Sequence, residues 1–181
     1  MASRAISARR YAEAIFELAS QSNTLDNWRA DLRTITEFVS DGDVSRLLAS
    51  SRVPRADKIK LLRAGLEKAV SPLAWNLVQL LEQRGKAPLA PAILDAFQGM
   101  VDDSRNVAHA VVTTAVPLAD DEKAAIASRL SSITGKQVDV TSVVDEAIIG
   151  GMVARIGDQL IDGSTRSRLV ALKRRLEGVA R

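Results

Sequence analysis

Through its first hundred residues the chain repeats apolar positions at intervals of three and four, which places them along one side of an α-helix. The segment at about residues 25–39 is a clear example, with apolar residues at Leu25, Trp28, Leu32, Ile35 and Phe38. Helix start and stop signals separate these segments, among them Ser71-Pro72 before the fifth and Gly85 after it. A further signal, Asp43, predicts the cap of the short third helix. The pattern predicts six helical segments before residue 105.

Two of these helices carry more apolar surface than a single core contact needs. Helix five, at about residues 73–84, is apolar nearly all round its first two turns. Helix one, at about residues 3–21, has two adjacent apolar stripes. The first stripe is Ala8, Ala12, Phe16 and Ala19, and the second is Tyr11, Ala14, Ile15 and Leu18. Such faces are either buried in the chain's own core or kept for a partner, since an apolar groove between two helices can accept a third, amphipathic helix.

Beyond residue 106 the apolar period changes from that of a helix to that of a strand. Three strands are predicted, at about 107–116, 138–144 and 152–161, with Gly157-Asp158 as a bulge within the third. A helix lies between the first two strands and predicts that they are parallel. The short link after the second strand predicts that strands two and three form a hairpin, and a final helical stripe follows at Leu169, Leu172 and Leu176.

The predicted fold is therefore α+β and mostly α, with an N-terminal six-helix bundle followed by a small β-α-β-β-α domain. The polar stretch at 102–106 is the predicted boundary between residues 1–105 and residues 106–181. The N-terminal residues carry Arg and Ser and have no acid before Glu13, a composition also typical of transit peptides. A first structural helix is the favoured interpretation. No apolar run approaches the roughly 20 residues that span a bilayer, so the chain is expected to be soluble and intracellular.

Composition excludes several classes of chemistry. Of 181 residues none is Cys and one is His, which excludes thiolate ligands, a Cys nucleophile and any site that needs several imidazoles. The acids Asp120, Asp121 and Glu122 stand at a predicted helix start, where capping is a better explanation than catalysis or cation binding. His109 is expected on a half-exposed strand face. No catalytic, cofactor or metal site is predicted, and a hydrolase of unusual type would be hard to assemble.

The charge balance leaves one alternative function. The 25 basic residues face 22 acidic ones, for a net charge of +3, which alone does not indicate nucleic acid. The basic run Lys173-Arg174-Arg175 near the end of the last helix is consistent with an adaptor that binds nucleic acid or an acidic protein. It also complements the helix dipole, and no aromatic stacking surface accompanies it.

Residues 144–164 carry the most specific pattern in the chain. They hold Asp145, then Ile149-Gly150-Gly151, a short apolar strand, Ile156-Gly157-Asp158, and finally Asp162 with Ser164 before a Leu-rich helix. A phosphate loop needs Lys-Ser/Thr at a helix start, whereas these two glycines precede a strand. A tight approach or a positive φ explains them better. The pattern resembles the C-terminal motif of the δ subunit of F-type ATP synthases, called the oligomycin-sensitivity-conferring protein in mitochondria.

The resemblance extends over nearly the whole chain. The first helix matches the family at Arg10-Tyr11-Ala12, Ala14-Ile15-Phe16 and Leu18-Ala19, and the sequence departs from it in helix five, where Asn76-Leu77-Val78 replaces Asn-Phe-Leu. The resemblance implies a non-catalytic peripheral-stalk subunit, or stator. It links the catalytic α/β head to the membrane-anchored b subunits, so that proton-driven rotation yields ATP. The implied location is peripheral, on the cytoplasmic face of a bacterial inner membrane or on an organellar coupling membrane.

The resemblance also implies partners for each part of the chain. The N-terminal part would bind the N-terminal segment of an α subunit through helices one and five. The residues expected to bind it are Tyr11, Ala14, Ile15, Leu18, Asn76, Gln79, Leu80 and Gln83. The C-terminal part would hold the C-terminal ends of the b subunits. Its motif residues are expected to be structural: Asp145, Gly150, Gly151, Gly157, Asp158, Asp162 and Ser164.

Overall fold

The computed structural model describes residues 2–145, 148, 150–167, 169 and 170, with side chains from residue 5 onward. It confirms an α+β protein that is mostly helical, with one four-stranded sheet. The chain divides into two compact units, Met1–Val101 and Asp102–Arg181. The division falls four residues before the predicted boundary, because the last turn of a helix joins the second unit. There Asp102 hydrogen-bonds His109, and Asp103 accepts from Lys136 at 2.8 Å.

Six α-helices precede the sheet in the described residues, and both ends of the fifth fall at signals that the sequence carries. They are α1 Ala2–Gln21, α2 Leu25–Ser40, α3 Gly42–Ala49, α4 Arg55–Leu66, α5 Pro72–Gln83 and α6 Ala90–Ser104, with a short 3-10 helix at Ala87–Leu89. At the start of α5 the Ser71 hydroxyl accepts from the N–H of Ala74 at 3.3 Å. After α5, Gly85 has the positive φ of 63° that a helix C-terminus favours.

The cap of α3 differs from the prediction. Asp41 caps this helix, with its carboxylate accepting from the N–H groups of Asp43 and Val44 at 3.0 and 3.2 Å. Asp43 lies in the first turn instead. Both positions favour an acid, one through hydrogen bonds and the other through the helix dipole, so the residue type alone does not distinguish them.

The core of the first unit is built mainly from aliphatic side chains of all these helices, together with Trp28, Trp75 and Phe97. Phe97 and Ile93 of α6 are fully buried, and Phe97 meets Phe16 edge to face with ring centroids 6.4 Å apart. The buried stripe of α1 consists of Ala8, Ala12, Ile15 and Ala19. This stripe combines members of both predicted stripes, while Phe16 remains partly exposed at its edge.

The second unit is a sheet covered on one face by a helix. Its elements are β1 Val107–Thr114, α7 Asp120–Thr134, β2 Gln137–Val144, β3 Met152–Ile156 and β4 Gln159–Asp162, followed by helical residues from Thr165. The strand order is β2-β1-β3-β4. β1 and β2 are parallel, as predicted from the helix between them. Ala110, Val112, Val138 and Ala154 face Leu130 of α7 in a small core.

Two predictions about the strands are wrong. β2 and β3 do not form a hairpin, because β3 pairs antiparallel with β1 and leaves β2 at the edge. β1 carries the most buried apolar side chains of the sheet. Pairing with a strand on each side therefore places these side chains at the centre of the core. Gly157-Asp158 is not a bulge but a two-residue hairpin turn, with Ile156 opposite Gln159. Gly157 has a φ of 55°, as the first loop position of a type II′ turn requires.

Candidate partner-binding site

The structure divides the predicted residues of α1 between the core and the surface. Ile15 is 3% exposed and belongs to the core, so its side chain is not presented to a partner. Leu18 is 55% exposed, Ala14 is also exposed, and Tyr11 is half-buried. Because two apolar stripes lie side by side on this helix, hydrophobicity alone could not show which one faces inward. The surface stripe runs through Tyr11, Ala14 and Leu18 at intervals of three and four.

Helix α5 presents a similar stripe. Leu80 is 40% exposed, Asn76 and Gln83 are exposed, and Gln79 lies half-buried to one side of them. Leu73, 59% exposed in the first turn, lies three residues before Asn76 on the same stripe, although it is not among the residues predicted for this site. Its signal was present in the i, i+3, i+7 spacing of Leu73, Asn76 and Leu80.

Lys86, just beyond α5, connects the two stripes at one end. Its Nζ lies 5.6 Å from the centroid of the Tyr11 ring and 3.4 Å from the Ser7 hydroxyl, both on α1. These contacts place the C-terminal end of α5 beside the first half of α1. We define the α1/α5 site as the exposed surface of both stripes: Tyr11, Ala14, Leu18, Leu73, Asn76, Leu80 and Gln83.

A buried carboxyl lies on the inward side of α5. Glu82 is 5% exposed, and burial raises the pKa of its carboxyl above the ordinary value, against the lowering effects of Lys58 and Arg55. The folded state therefore binds the proton of Glu82 more tightly than the unfolded chain does. Its contribution to stability is greatest in acid and is lost as the pH rises through the folded pKa.

Replacing Glu82 by Gln should stabilise the protein near neutral pH, because the amide removes a buried charge and nearly preserves its shape. We expect the free energy of unfolding at pH 7 to rise, because the carboxyl of Glu82 ionises less readily in the folded chain than in the unfolded chain. The gain should disappear at about pH 4, below the ordinary value of 4.5. Urea unfolding of both proteins at the two pH values measures it. An equal gain at both would show that the charge of Glu82 is not the cause.

The candidate acids and the histidine have structural contacts. Asp120, Asp121 and Glu122 form the first turn of α7, and Glu122 accepts from the N–H of Ala119 at 2.9 Å. The His109 ring is largely exposed, with one nitrogen 3.2 Å from a carboxylate oxygen of Asp102.

Within the described residues no group of three or more His, Asp or Glu side chains could hold a metal ion. Likewise, no helix among them is long and apolar enough to cross a membrane.

The glycine pair of the C-terminal motif lies against the chain that follows β4. The carbonyl of Gly150 accepts from the N–H of Thr165 at 2.9 Å, and the N–H of Gly163 donates to the carbonyl of Met152 at 2.9 Å. Gly151 has a φ of 81°, and a Cβ on it would stand 2.5 Å from the carbonyl oxygen of Gly163. The motif therefore joins two backbone segments at a distance that only glycine permits.

Asp162 and Ser164 shape the start of the helical residues that follow. The Asp162 carboxylate accepts from the N–H of Ser164 at 2.9 Å and from the Ser167 hydroxyl at 2.6 Å. These hydrogen bonds lower the pKa of Asp162. The buried Ser164 hydroxyl accepts from the N–H of Ser167, as an N-cap does.

The remaining motif residues differ in how far the structure accounts for them. The N–H of Asp145 donates to the carbonyl of Thr114 at 2.9 Å, and Asp158 is an exposed turn residue. Ile149 of the motif, Leu172 and Leu176 of the last stripe, and the basic run at 173–175 lie outside the described residues.

Comparison with known proteins decides the family. The family model for the ATP synthase delta (OSCP) subunit matches residues 7–176. The chain belongs to the ATP synthase delta (OSCP) family. One delta-family relative, ATP synthase subunit delta of Dehalococcoides mccartyi, is 37% identical over 166 residues, which are 92% of this chain and 91% of the relative. Another, from Desulfotalea psychrophila, is 34% identical over 176 residues and covers 96% and 97% of the two chains.

A solved structure agrees with this delta-family assignment. A chain of the mitochondrial ATP synthase hexamer of Toxoplasma gondii superposes with a TM-score of 0.67 at 25% sequence identity, over 93% of this chain and 96% of that one. The chain is thus similar along nearly its whole length to a component of an assembled ATP synthase. The family assignment does not favour the nucleic-acid adaptor considered above.

Proposed function

We propose that this chain holds the catalytic α/β head of an F-type ATP synthase to the b subunits of its peripheral stalk. The stator role follows from membership of the delta family. The α1/α5 site supports the more specific proposal that the first unit binds an α subunit. A stator must resist the torque of rotation, so it needs extended contacts and no chemistry of its own. In this account the six helices α1–α6 act as one bundle that binds α, and the second unit binds b.

The main support for the α assignment is the apolar surface that α1 and α5 leave exposed. Leu18, Leu73 and Leu80 are between 40% and 59% exposed, although the same helices bury other apolar residues in the core. Polar Asn76 and Gln83 alternate with the leucines of α5 along the stripe. Such a surface suits the apolar face of an amphipathic helix, which fits an N-terminal segment of an α subunit.

Leu18→Asp should weaken binding of a peptide from the N-terminus of the matching α subunit by about tenfold or more, because it places a charge in the apolar contact. Trp28 and Trp75 are both buried, so calorimetric titration is a better measurement than their emission.

The matched control for that titration is Ile6→Asp on the same helix. Ile6 is 57% exposed and lies about a third of a turn away from the surface stripe. It should leave the affinity unchanged. Equal affinity of Leu18→Asp and the unmodified chain would reject the α1 part of the site, and a folded chain that does not bind the peptide would reject the α assignment.

The assignment of b to the second unit is supported by the sheet face opposite α7. Val111, Val143 and Leu160 are 43%, 45% and 64% exposed there. We expect the full chain to bind a peptide from the C-terminal end of b, and Leu18→Asp to leave that affinity unchanged. Loss of b binding in Leu18→Asp would place both partners on the first unit. Assembly with b would bring the chain to the cytoplasmic face of a bacterial inner membrane.

A further inference from the structure

Lys86 differs from several other lysines of the chain in having no carboxylate partner within the described residues. Lys60 pairs with Asp57 at 3.1 Å and Lys123 with Asp120 at 3.2 Å. Lys86 instead contacts the Ser7 hydroxyl and the Tyr11 ring, and its side chain is half-buried at the end of the α1/α5 site. A hydroxyl and an aromatic face hold an ammonium in place without neutralising its charge.

We propose that Lys86 binds a carboxylate of the helix that docks on the α1/α5 site, an inference that rests on the proposed function of that site. The Ser7 contact uses one of three ammonium donors and leaves two for a ligand. At this half-buried position solvent screens a charge pair less than it does on an open surface. Arg84, exposed two residues before Lys86, adds to the positive potential at the same end of α5.

The position of Lys86 also sets the pattern that the ligand must have. The Tyr11 ring lies beneath the Lys86 ammonium. Leu18 follows Tyr11 by seven residues of α1, which is about 10 Å along the helix axis. A docked helix therefore places its apolar contacts within about two turns of the carboxylate. The expected ligand is an amphipathic helix with an acid at one end of its apolar stripe.

The test is calorimetric titration of the full chain with the α-subunit peptide. Lys86→Met should bind at least about tenfold more weakly, since it removes a charge-assisted hydrogen bond. Lys86→Arg keeps the charge and should stay within about threefold of the unmodified chain. The matched control is Lys60→Met, which removes an exposed, ion-paired lysine from α4 and should leave the affinity unchanged.

Peptide variants identify the carboxylate. Each Asp or Glu of the peptide is replaced in turn by its amide, and one replacement should weaken binding to the unmodified chain about as much as Lys86→Met does. That same peptide should lose no further affinity for Lys86→Met, because the two changes remove one interaction. Additive losses at every position would overturn the inference.

The two proposals fail in different ways. If the unmodified chain binds the peptide and Lys86→Met, still folded by its melting curve, binds it equally well, Lys86 has no such role and the α1/α5 site stands. If the unmodified chain does not bind the peptide at all, the proposed function of the site fails and the role of Lys86 fails with it.

Discussion

Ile15→Asp is expected to unfold the first unit, whereas Leu18→Asp, three residues further along the same helix, should leave it folded. Ile15 is 3% exposed among the core residues of α1, and Leu18 is 55% exposed. An ionised carboxylate in an apolar core costs several kcal/mol in addition to the lost packing of the isoleucine. That cost is comparable to the roughly 5–15 kcal/mol that stabilise a typical domain.

Circular dichroism during urea unfolding measures the stability of these two variants. Leu18→Asp should stay within about 0.5 kcal/mol of the unmodified chain, as surface substitutions usually do. In Ile15→Asp the first unfolding transition at low urea should remove most of the helical circular-dichroism signal. Alternatively, this variant should already be partly unfolded without urea. Similar stabilities for the two variants would mean that the packing of α1 described above is incorrect. The result also decides which variant is useful in binding studies, since a loss of partner binding in Ile15→Asp would report unfolding.

The second large effect is expected at Gly151. Gly151→Ala combines a non-glycine residue at a φ of 81° with a Cβ 2.5 Å from the backbone oxygen of Gly163. Positive φ costs about 1–3 kcal/mol and the overpacking a similar amount, so we expect a loss of about 2–4 kcal/mol in the second unit. Hydrogen exchange of the amides of β3 and Gly163 measures this loss locally.

Gly150 provides the matched control for that measurement. A Cβ on Gly150 would meet only the Thr165 hydroxyl oxygen, at 3.2 Å, and Gly150 has no positive φ. Gly150→Ala should therefore cost less than Gly151→Ala, while the larger, charged side chain of Gly150→Asp should still damage the second unit. Equal hydrogen-exchange protection of the Gly151→Ala and Gly150→Ala variants would show that the close approach of Gly151 to Gly163 is not required for the stability of the second unit.

The local features of the fold could be predicted from the sequence because their causes lie within a few residues. Ser71-Pro72 starts a helix through its own hydroxyl and ring, and Gly85 ends one through its own φ. The helix between β1 and β2 likewise determined their parallel pairing. The sequence predicted that the glycine pair makes a tight contact or adopts a positive φ. It did not show that Gly163 is the partner of Gly151, because the contact joins segments twelve residues apart.

The non-local features could not be predicted in this way. Whether Ile15 or Phe16 of α1 faces the core depends on which helices pack around it, and both residues are apolar. The pairing of β3 with β1 instead of β2 depends on competition between strand edges, which a single strand's alternation does not reveal. For the same reason the sequence did not show that Lys86 approaches Tyr11, 75 residues earlier in the chain.

The order of strands in the sheet has a consequence for how a new chain is made. β1, one of the two internal strands, is the first to be synthesised, yet its neighbour β3 ends at Ile156 and the sheet is complete only with Asp162. At about 5–20 residues per second, the ribosome needs roughly 2–10 seconds to pass from Thr114 to Asp162. During that interval β1 gains β2 only after Val144 and β3 only after Ile156, while the helices of the first unit have all been synthesised already. Each nascent chain can therefore complete the first unit before the sheet of the second unit can close.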